Sequence, residues 1–326
     1  MFTVGKLQRK PKHFKSFTGL NPDEFNTLLQ AVQLEYQTQD QNRKTLNPRK
    51  RAPGAGRKFK LEISERLLMT LMYYRLHLTF ILLGYLFDLD DTRAGEEVRE
   101  RMEPVLLEVL PIPRRDRFFE PFGQTNASSS NSSQGASNQP RIRTLEELLI
   151  KHPELEELLI DATEQEVPRP ENKGKRRTRY SGKKKVHTIK TQVVTSKKVI
   201  LHVSESIDGS VSDLRLLRAS GVMHSIPKDR KVRCDRGYEG IEAEYPESLI
   251  EKPIRGQRNH KVTVLGKIWN RLVSKERIAV EHVLCRLEKF KVLAGKYRAR
   301  LGGYEDRFAV VAGLVNFKAL DRLSWS

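Results

Sequence analysis

Leu158-Leu159-Ile160-Asp161-Ala162-Thr163 is an apolar run broken by one carboxylate, and it closes a segment, 155–163, that reads as a buried β-strand. The run is too short for a helix and too apolar for a loop. A carboxylate in such a strand is costly unless it is paired, hydrogen-bonded or holding a cation. The periodicity of the chain also changes here, from helical before the run to strand-like after it.

Downstream, Val186 to Thr195 alternates and Lys198 to Ser204 is β-branched and apolar, which predicts two further strands. Asp208-Gly209-Ser210 breaks the pattern, and Val211 to Ala219 reads as a helix. Val232 to Asp235 is a short apolar strand ending in a second acid, followed by Arg236-Gly237-Tyr238. After an irregular region, Ser274 to Leu293 is a long amphipathic helix with Ile278, Val280, Val283, Leu284, Leu287 and Phe290 apolar, and Glu281 close to that stripe. Three strands, a helix, a strand and a late helix predict an α/β domain, a mixed sheet flanked by helices.

Upstream the pattern is all-α. Phe25, Leu28, Leu29 and Val32 share one face after Asn21-Pro22-Asp23-Glu24, which supplies a cap, a first-turn proline and early acids. A basic stretch from Arg43 to Lys60 precedes a helix over Leu61 to His77; then Thr79 to Phe87, a turn at 88–92, and Arg93 to Met102 predict a helix-turn-helix. The apolar stretch Leu67 to Phe87 holds Arg75 and His77 in its middle and a cap at Thr79, so it is expected as two buried helices and not a membrane span. Gln124 to Pro140, QTNASSSNSSQGASNQP, carries no charge and is expected to be a flexible linker. The expected organisation is a helical domain over 1–123, with the helix-turn-helix at about 61–110, a linker at 124–140 and an α/β domain over 141–326.

The 326 residues include 60 Lys+Arg against 41 Asp+Glu, a formal charge of +19, which favours a polyanionic partner through counterion release. Hydrophobic residues at 38% suffice for packed cores. Cys234 and Cys285, two in all, exclude a disulfide framework and are expected as buried hydrophobes of a reducing cytosol. The N-terminus lacks the apolar run of a secretory signal.

Two strand acids and one helix acid, Asp161, Asp235 and Glu281, would together bind two Mg²⁺ (or Mn²⁺) ions and promote in-line phosphoryl displacement. Among 41 acids this pattern is a weak signal by itself. Arg277, one turn before Glu281, is either a phosphate contact or a surface partner for that acid. The cation-rich run Lys173, Lys175, Arg176, Arg177, Arg179, Tyr180, Lys183, Lys184 and Lys185 is a solvated face that also suits a DNA backbone. Asp208 and Asp213 are candidate helix caps, with Asp213 also a possible support for the acids; His187 and His282 are read as hydrogen-bonding residues beside the motifs.

The segments LLIDATEQEVPRP, RYSGKKKVHTIKTQVV, ILHVSESIDGSVSDLRLL, DRGYEGI, KERIAVEHVLCRLEKFKVL and VAGLVNF occur in this order over Asp161 to Phe317 and their flanks. Together they resemble the transposases of insertion-sequence family 5 and their eukaryotic Harbinger relatives. The resemblance implies a ribonuclease H-like catalytic domain and an Asp-Asp-Glu triad at Asp161, Asp235 and Glu281, and extends more loosely to Leu61–Leu110 as a helix-turn-helix. It implies double-stranded DNA, both element ends and target, as the partner, a homodimer on that DNA, and action in a bacterial cytoplasm near the nucleoid. Relatives often carry a basic residue seven positions after the Glu; here Glu288 stands there, so Arg286 or the adjacent Lys289 is expected to take the DNA contact. Ser212 precedes Asp213 where the family usually has His. The other readings open to such a chain are a catalytically weakened or domesticated DNA-binding protein, and an endonuclease without strand transfer.

Overall fold

The computed structural model describes residues 2–46, 60–111, 156–196, 198–256 and 262–320, so the polar segment 124–140 and most of the basic stretch 43–60 lie outside the described residues. The chain forms two compact units.

The first unit is all-α: α1 Val4–Gln8, α2 Pro11–Thr18, α3 Pro22–Leu46, α4 Ile63–Leu76, α5 Phe80–Phe87, α6 Asp91–Glu96, and a π-helical turn Glu97–Met102 that runs into α7 Glu103–Val109. Local chemistry sets the helix starts. The Asn21 side chain accepts from the Glu24 N–H at 2.7 Å while the Glu24 carboxylate accepts from the Asn21 N–H at 2.8 Å, which closes a capping box ahead of α3. Thr79 Oγ1 accepts from the Leu82 N–H and starts α5, so the apolar stretch 67–87 is two helices joined at His77, as expected. No helix among the described residues is long and apolar enough to cross a membrane. The α5–turn–α6 arrangement is the predicted helix-turn-helix, and the core beneath it is built from Phe14, Phe25, Leu28, Val32, Leu67, Leu71 and Phe87, all buried.

This unit also recruits the far end of the chain, which differs from a division at residues 124–140. Segment Glu288–Ala294 and the C-terminal helix Tyr304–Leu320 belong to it. The Lys291 and Val292 N–H groups donate to the Arg75 and Tyr74 carbonyls, and the Arg75 guanidinium lies over the Phe290 ring. Asn316 donates to the Pro111 carbonyl and Lys318 to that of Gly19. The apolar face Phe308, Val311 and Val315 is buried because α7 packs against it.

The second unit is a six-stranded mixed sheet: β1 Glu157–Glu166, β2 Thr188–Ser196, β3 Val199–Val203, β4 Ile207–Asp208, β5 Lys231–Cys234 and β6 Leu249–Glu251. Their order is β3-β2-β1-β5-β6, with β4 beside β2. β1, β2 and β3 are antiparallel neighbours, whereas β1, β5 and β6 run parallel. Helices α8 Lys173–Arg179, α9 Asp213–Ser220, α10 Ile241–Glu244 and α11 Val264–Glu288 accompany the sheet. This is the ribonuclease H-like α/β architecture. Two expectations are corrected. The late helix begins ten residues sooner than expected and ends at Glu288, because Thr263 Oγ1 caps it through the Gly266 N–H. Part of the cation-rich run is the helix α8, started by Asn172 accepting from the Lys175 N–H.

Strand residues point alternately to the two faces. Register pairs Asp161 with Val193 and Glu164 with Lys190, so Asp161 and Glu164 lie on opposite faces of β1. On the Asp161 face, buried Arg233 ties Glu157 of β1 at 2.6 Å to Glu251 of β6 at 2.7 Å and approaches Glu276 of α11. On the Glu164 face, α9 packs over β2, where Gln192 Nε2 donates to Ser220 Oγ.

In the first unit, Glu103 is buried, accepts from the Tyr74 hydroxyl at 2.8 Å and lies 3.5 Å from the Arg307 guanidinium. Burial pushes its carboxyl up to about 7, against the pull of Arg307 and Tyr74. The folded value lies above the unfolded one, so this stabilisation is complete at pH below the ordinary carboxylate value and is lost as pH rises through about 7. Thermal melting should therefore show the wild type losing stability from pH 5 to 8 (roughly one to three kcal/mol) relative to Glu103→Gln, whose profile should be the flatter.

Candidate active site

The site is built where two parallel strands end. Ile160 of β1 pairs with Cys234 of β5, the last pair in that ladder, and Asp161 and Asp235 follow directly. β1 continues beyond this point while β5 turns away through a 3₁₀ turn, Arg236–Tyr238, in which the Arg236 N–H donates to Asp235 Oδ1. Two carboxylates thus sit side by side at a place where the sheet loses a strand.

Arg277, on α11, answers both. Its guanidinium donates to Asp235 Oδ1 at 3.2 Å and to Asp161 Oδ2 at 3.3 Å, with side-chain exposures of 13% for Arg277, 19% for Asp161 and 41% for Asp235. The Arg277 Nε is buried with no hydrogen-bond partner. Burial raises the Asp161 carboxyl, opposed by the Ala162 N–H and Arg277 and reinforced by the negative charges of Asp235 and Asp213. Two carboxylates thus share a single guanidinium, which leaves the pair with one negative charge in excess. Two adjacent, partly exposed carboxylates present hard oxygen donors suited to Mg²⁺ or Mn²⁺, so the residues fit a divalent cation.

Glu281 lies one helical turn beyond Arg277 on α11, exposed, with no hydrogen bond or ion pair among the described residues. Among those residues no three His, Cys, Asp or Glu side chains gather closely enough to hold an ion. The structure thus brings Asp161 and Asp235 together through Arg277 and leaves Glu281 outside the pair. His282 is exposed beside it, and Arg286 donates to the Lys198 carbonyl at 3.4 Å. Lys289 is exposed and belongs to the first unit, where its carbonyl accepts from Arg75. Cys234 is buried, its thiol pushed up by burial to about 12, whereas Cys285 is exposed on α11, contrary to expectation.

The cation-rich run divides by partner. Arg179 pairs with Asp208 at 3.0 Å and Lys184 donates to the Glu164 carbonyl, which fastens α8 and its loop to the sheet, while Arg176 donates to the Pro170 carbonyl in the preceding loop. Arg177, Lys183 and Lys185 are exposed and make no ion pair among the described residues. Tyr180 is 43% exposed and meets the His187 ring edge-on at 5.7 Å, which gives His187 a structural place.

Lys190 and Tyr238 were not anticipated as site residues from the sequence. Lys190 of β2 is nearly buried and lies 2.8 Å from Asp213 and 3.4 Å from Glu164. The available signal was a lysine within a strand-forming run, HTIKTQVV, since a cation buried in a sheet needs partners. Asp213, in the first turn of α9, has Ser212 as the N-cap, not itself. The Tyr238 hydroxyl is buried without a hydrogen-bond partner, and burial followed by the charges of Asp213 and Asp161 raises its pKa.

Two families match. The one described as DDE superfamily endonuclease covers residues 160–316, and the one described as helix-turn-helix of DDE superfamily endonuclease covers residues 59–112. A probable transposase for insertion sequence element IS702 from Microchaete diplosiphon is 28% identical over 95% of this chain and 96% of its own length. A solved structure described as a pre-cleavage Mos1 transpososome aligns with 86% of this chain and 83% of its own at 10% identity and a TM-score of 0.19, too loose a superposition to bear on the fold.

Replacing Arg277 by Met leaves Asp161 and Asp235 facing each other without a counter-charge. The variant should lose about 1–3 kcal/mol of stability, below the fully buried limit because Asp235 is partly solvated. Added Mn²⁺ at millimolar concentration should return more of the melting temperature to this variant than it adds to the wild type, as read by differential scanning calorimetry.

Proposed function

Because the chain belongs to the DDE superfamily of insertion-sequence transposases, we propose that it cleaves the ends of its own mobile element and transfers the freed 3′-hydroxyl into target DNA by phosphoryl transfer. The observation that carries this reading is the Asp161–Asp235 pair at the end of β1 and β5, with Arg277 between them. Asp161 and Asp235 would hold the divalent cations, and Glu281, one turn beyond Arg277, would complete the set by moving toward them. Two bound Mg²⁺ (or Mn²⁺) ions supply activation of the attacking oxygen and stabilisation of the leaving oxygen.

The protein's own part is positioning and charge. Arg277 offers a guanidinium that suits a phosphate as well as it suits two carboxylates. Arg177, Lys183 and Lys185, exposed beside β1 and β2, are free to track a DNA backbone. The helix-turn-helix of α5 and α6 is assigned the element ends, with the protein acting as a homodimer on DNA in a bacterial cytoplasm. A second reading, a DNA-binding protein that no longer cuts, is favoured by one feature: Glu288 stands where relatives often carry a basic residue.

Incubation of the wild type with its flanking element ends and Mg²⁺ should give nicked ends and strand-transfer products. Asp161→Asn, Asp235→Asn and Glu281→Gln should each lower cleavage at least about a thousand-fold, equivalent to roughly 4 kcal/mol of transition-state stabilisation. Variants that cut as well as the wild type overturn the mechanism, cutting without joining reduces the protein to an endonuclease, and binding without cutting establishes the second reading. Arg177→Ala and Lys183→Ala should weaken DNA binding uniformly across sequences and each reduce the salt slope by about one.

A further inference from the structure

Lys190 links the sheet to the turn that carries Asp235. Its Nζ donates to the Val211 carbonyl at 2.9 Å and to Asp213 Oδ1 at 2.8 Å, and lies 3.4 Å from Glu164 Oε1. Lys190 and Glu164 have about nine-tenths of their side chains buried. The Thr188 hydroxyl donates to the other Glu164 oxygen at 3.0 Å. Asp213 therefore has one carboxylate oxygen fixed by Lys190, and its second oxygen is directed at the turn. A Cβ added to Gly237 would stand 2.3 Å from that oxygen, closer than real Cβ contacts come, so the turn seats itself on the carboxylate only because residue 237 has no side chain. Gly237 and Tyr238 are the second and third residues after Asp235, in the turn that Asp235 caps, and Tyr238 is wholly buried.

We propose that Lys190 is a positioning residue: by pinning Asp213 beneath Gly237 it fixes the Arg236–Tyr238 turn, and so the distance and direction of Asp235 relative to Asp161. Lys190 acts from the face of β1 opposite to Asp161, so it touches neither DNA nor the reacting atoms. The parallel ladder ends at Ile160 and Cys234, and Asp235 has no strand pairing of its own to hold it. Lys190 and Asp213 supply that constraint from the side. Neither residue is needed to bind the cation itself. Their effect is on how well two carboxylates, already adjacent, are held in one geometry.

This inference rests on the proposed metal site, and the test separates the two. The probe is Mn²⁺ alone, titrated calorimetrically into the full chain without DNA, with far-ultraviolet circular dichroism confirming that each variant is folded. Lys190→Met and Asp213→Ala should weaken Mn²⁺ binding by about ten- to a hundred-fold, as loss of a supporting partner to a metal ligand does, and Lys190→Arg should recover most of the affinity. Lys190→Met leaves Glu164 and Asp213 without their cation and can fail to fold, so the decisive comparison uses Gly237. Gly237→Ala should weaken Mn²⁺ binding in the wild-type background and add no further loss to Asp213→Ala, because the obstruction is then gone. A wild type that binds Mn²⁺, with Asp213→Ala and Gly237→Ala binding it equally tightly or with additive losses, overturns the positioning role alone. A wild type that takes up no Mn²⁺ overturns the metal-site reading and this inference with it.

Discussion

Parallel pairing of β1 with β5 is the constraint from which the catalytic unit follows. Neighbouring strands lie about 4.8 Å apart, so when the ladder stops at Ile160 and Cys234 the next residue on each strand arrives with its side chain on a common face. Both of those residues are aspartates. Two carboxylates at that separation repel, and burial of Asp161 makes the repulsion costlier. A cation is then required, and α11 provides one in Arg277. The same face is braced by Arg233, which joins β1 and β6 from β5 and reaches toward α11 through Glu276. Charge balance and strand register are here one problem with one solution.

Most of the fold was legible because its signals are local. Apolar runs and β-branched residues define strands, and β1, β2, β3 and β5 begin and end within a few residues of those runs, whereas the short β4 and β6 fall at a stretch read as a break and in one read as irregular. Caps at Asn21 and Thr79 announce helix starts through side-chain geometry that needs only three residues of context. The first turns of α11 were missed for a local reason too: Gly266 weakens a helical reading, and the apolar Leu265, Ile268 and Leu272 there remain exposed, so no core-facing stripe distinguishes them. The site was legible by halves. Asp161 and Asp235 each end or interrupt a strand, and their proximity follows from the order of the strands. The partnership of Lys190 with Glu164 and Asp213 joins residues that only the folded sheet brings together, and the exposure of Glu281 depends on which way α11 is turned. Periodicity had placed Glu281 near the buried stripe, and a displacement of one position around a helix changes that outcome.

The +19 charge is not evenly available. Arg176, Arg179, Lys184, Lys190, Arg233 and Arg277 are engaged in holding the catalytic unit together. Four of these, Arg179, Lys190, Arg233 and Arg277, stabilise geometry more than they attract a polyanion, because their fields are largely cancelled by the acids they meet. Attraction at long range falls to the exposed ones, which include Arg177, Lys183 and Lys185 on α8 and the loop that follows it and Lys267, Arg271 and Lys275 on α11. A count of basic residues thus overstates the number able to release counterions from DNA, and their distribution is the better guide.

The recruitment of the helix Tyr304–Leu320 into the N-terminal unit bears on the order in which the protein comes into being. A chain emerges from the ribosome N-terminus first, at about 5–20 residues per second. The first helical segments therefore leave the exit tunnel long before the helix that covers α7 has been translated. The six-stranded sheet, whose strands span residues 157–251, is available earlier. The region that begins the sequence is in this sense the last to be finished. During that interval the apolar surface of α7 that this helix covers is left open, and exposed apolar surface on a partly made chain favours aggregation.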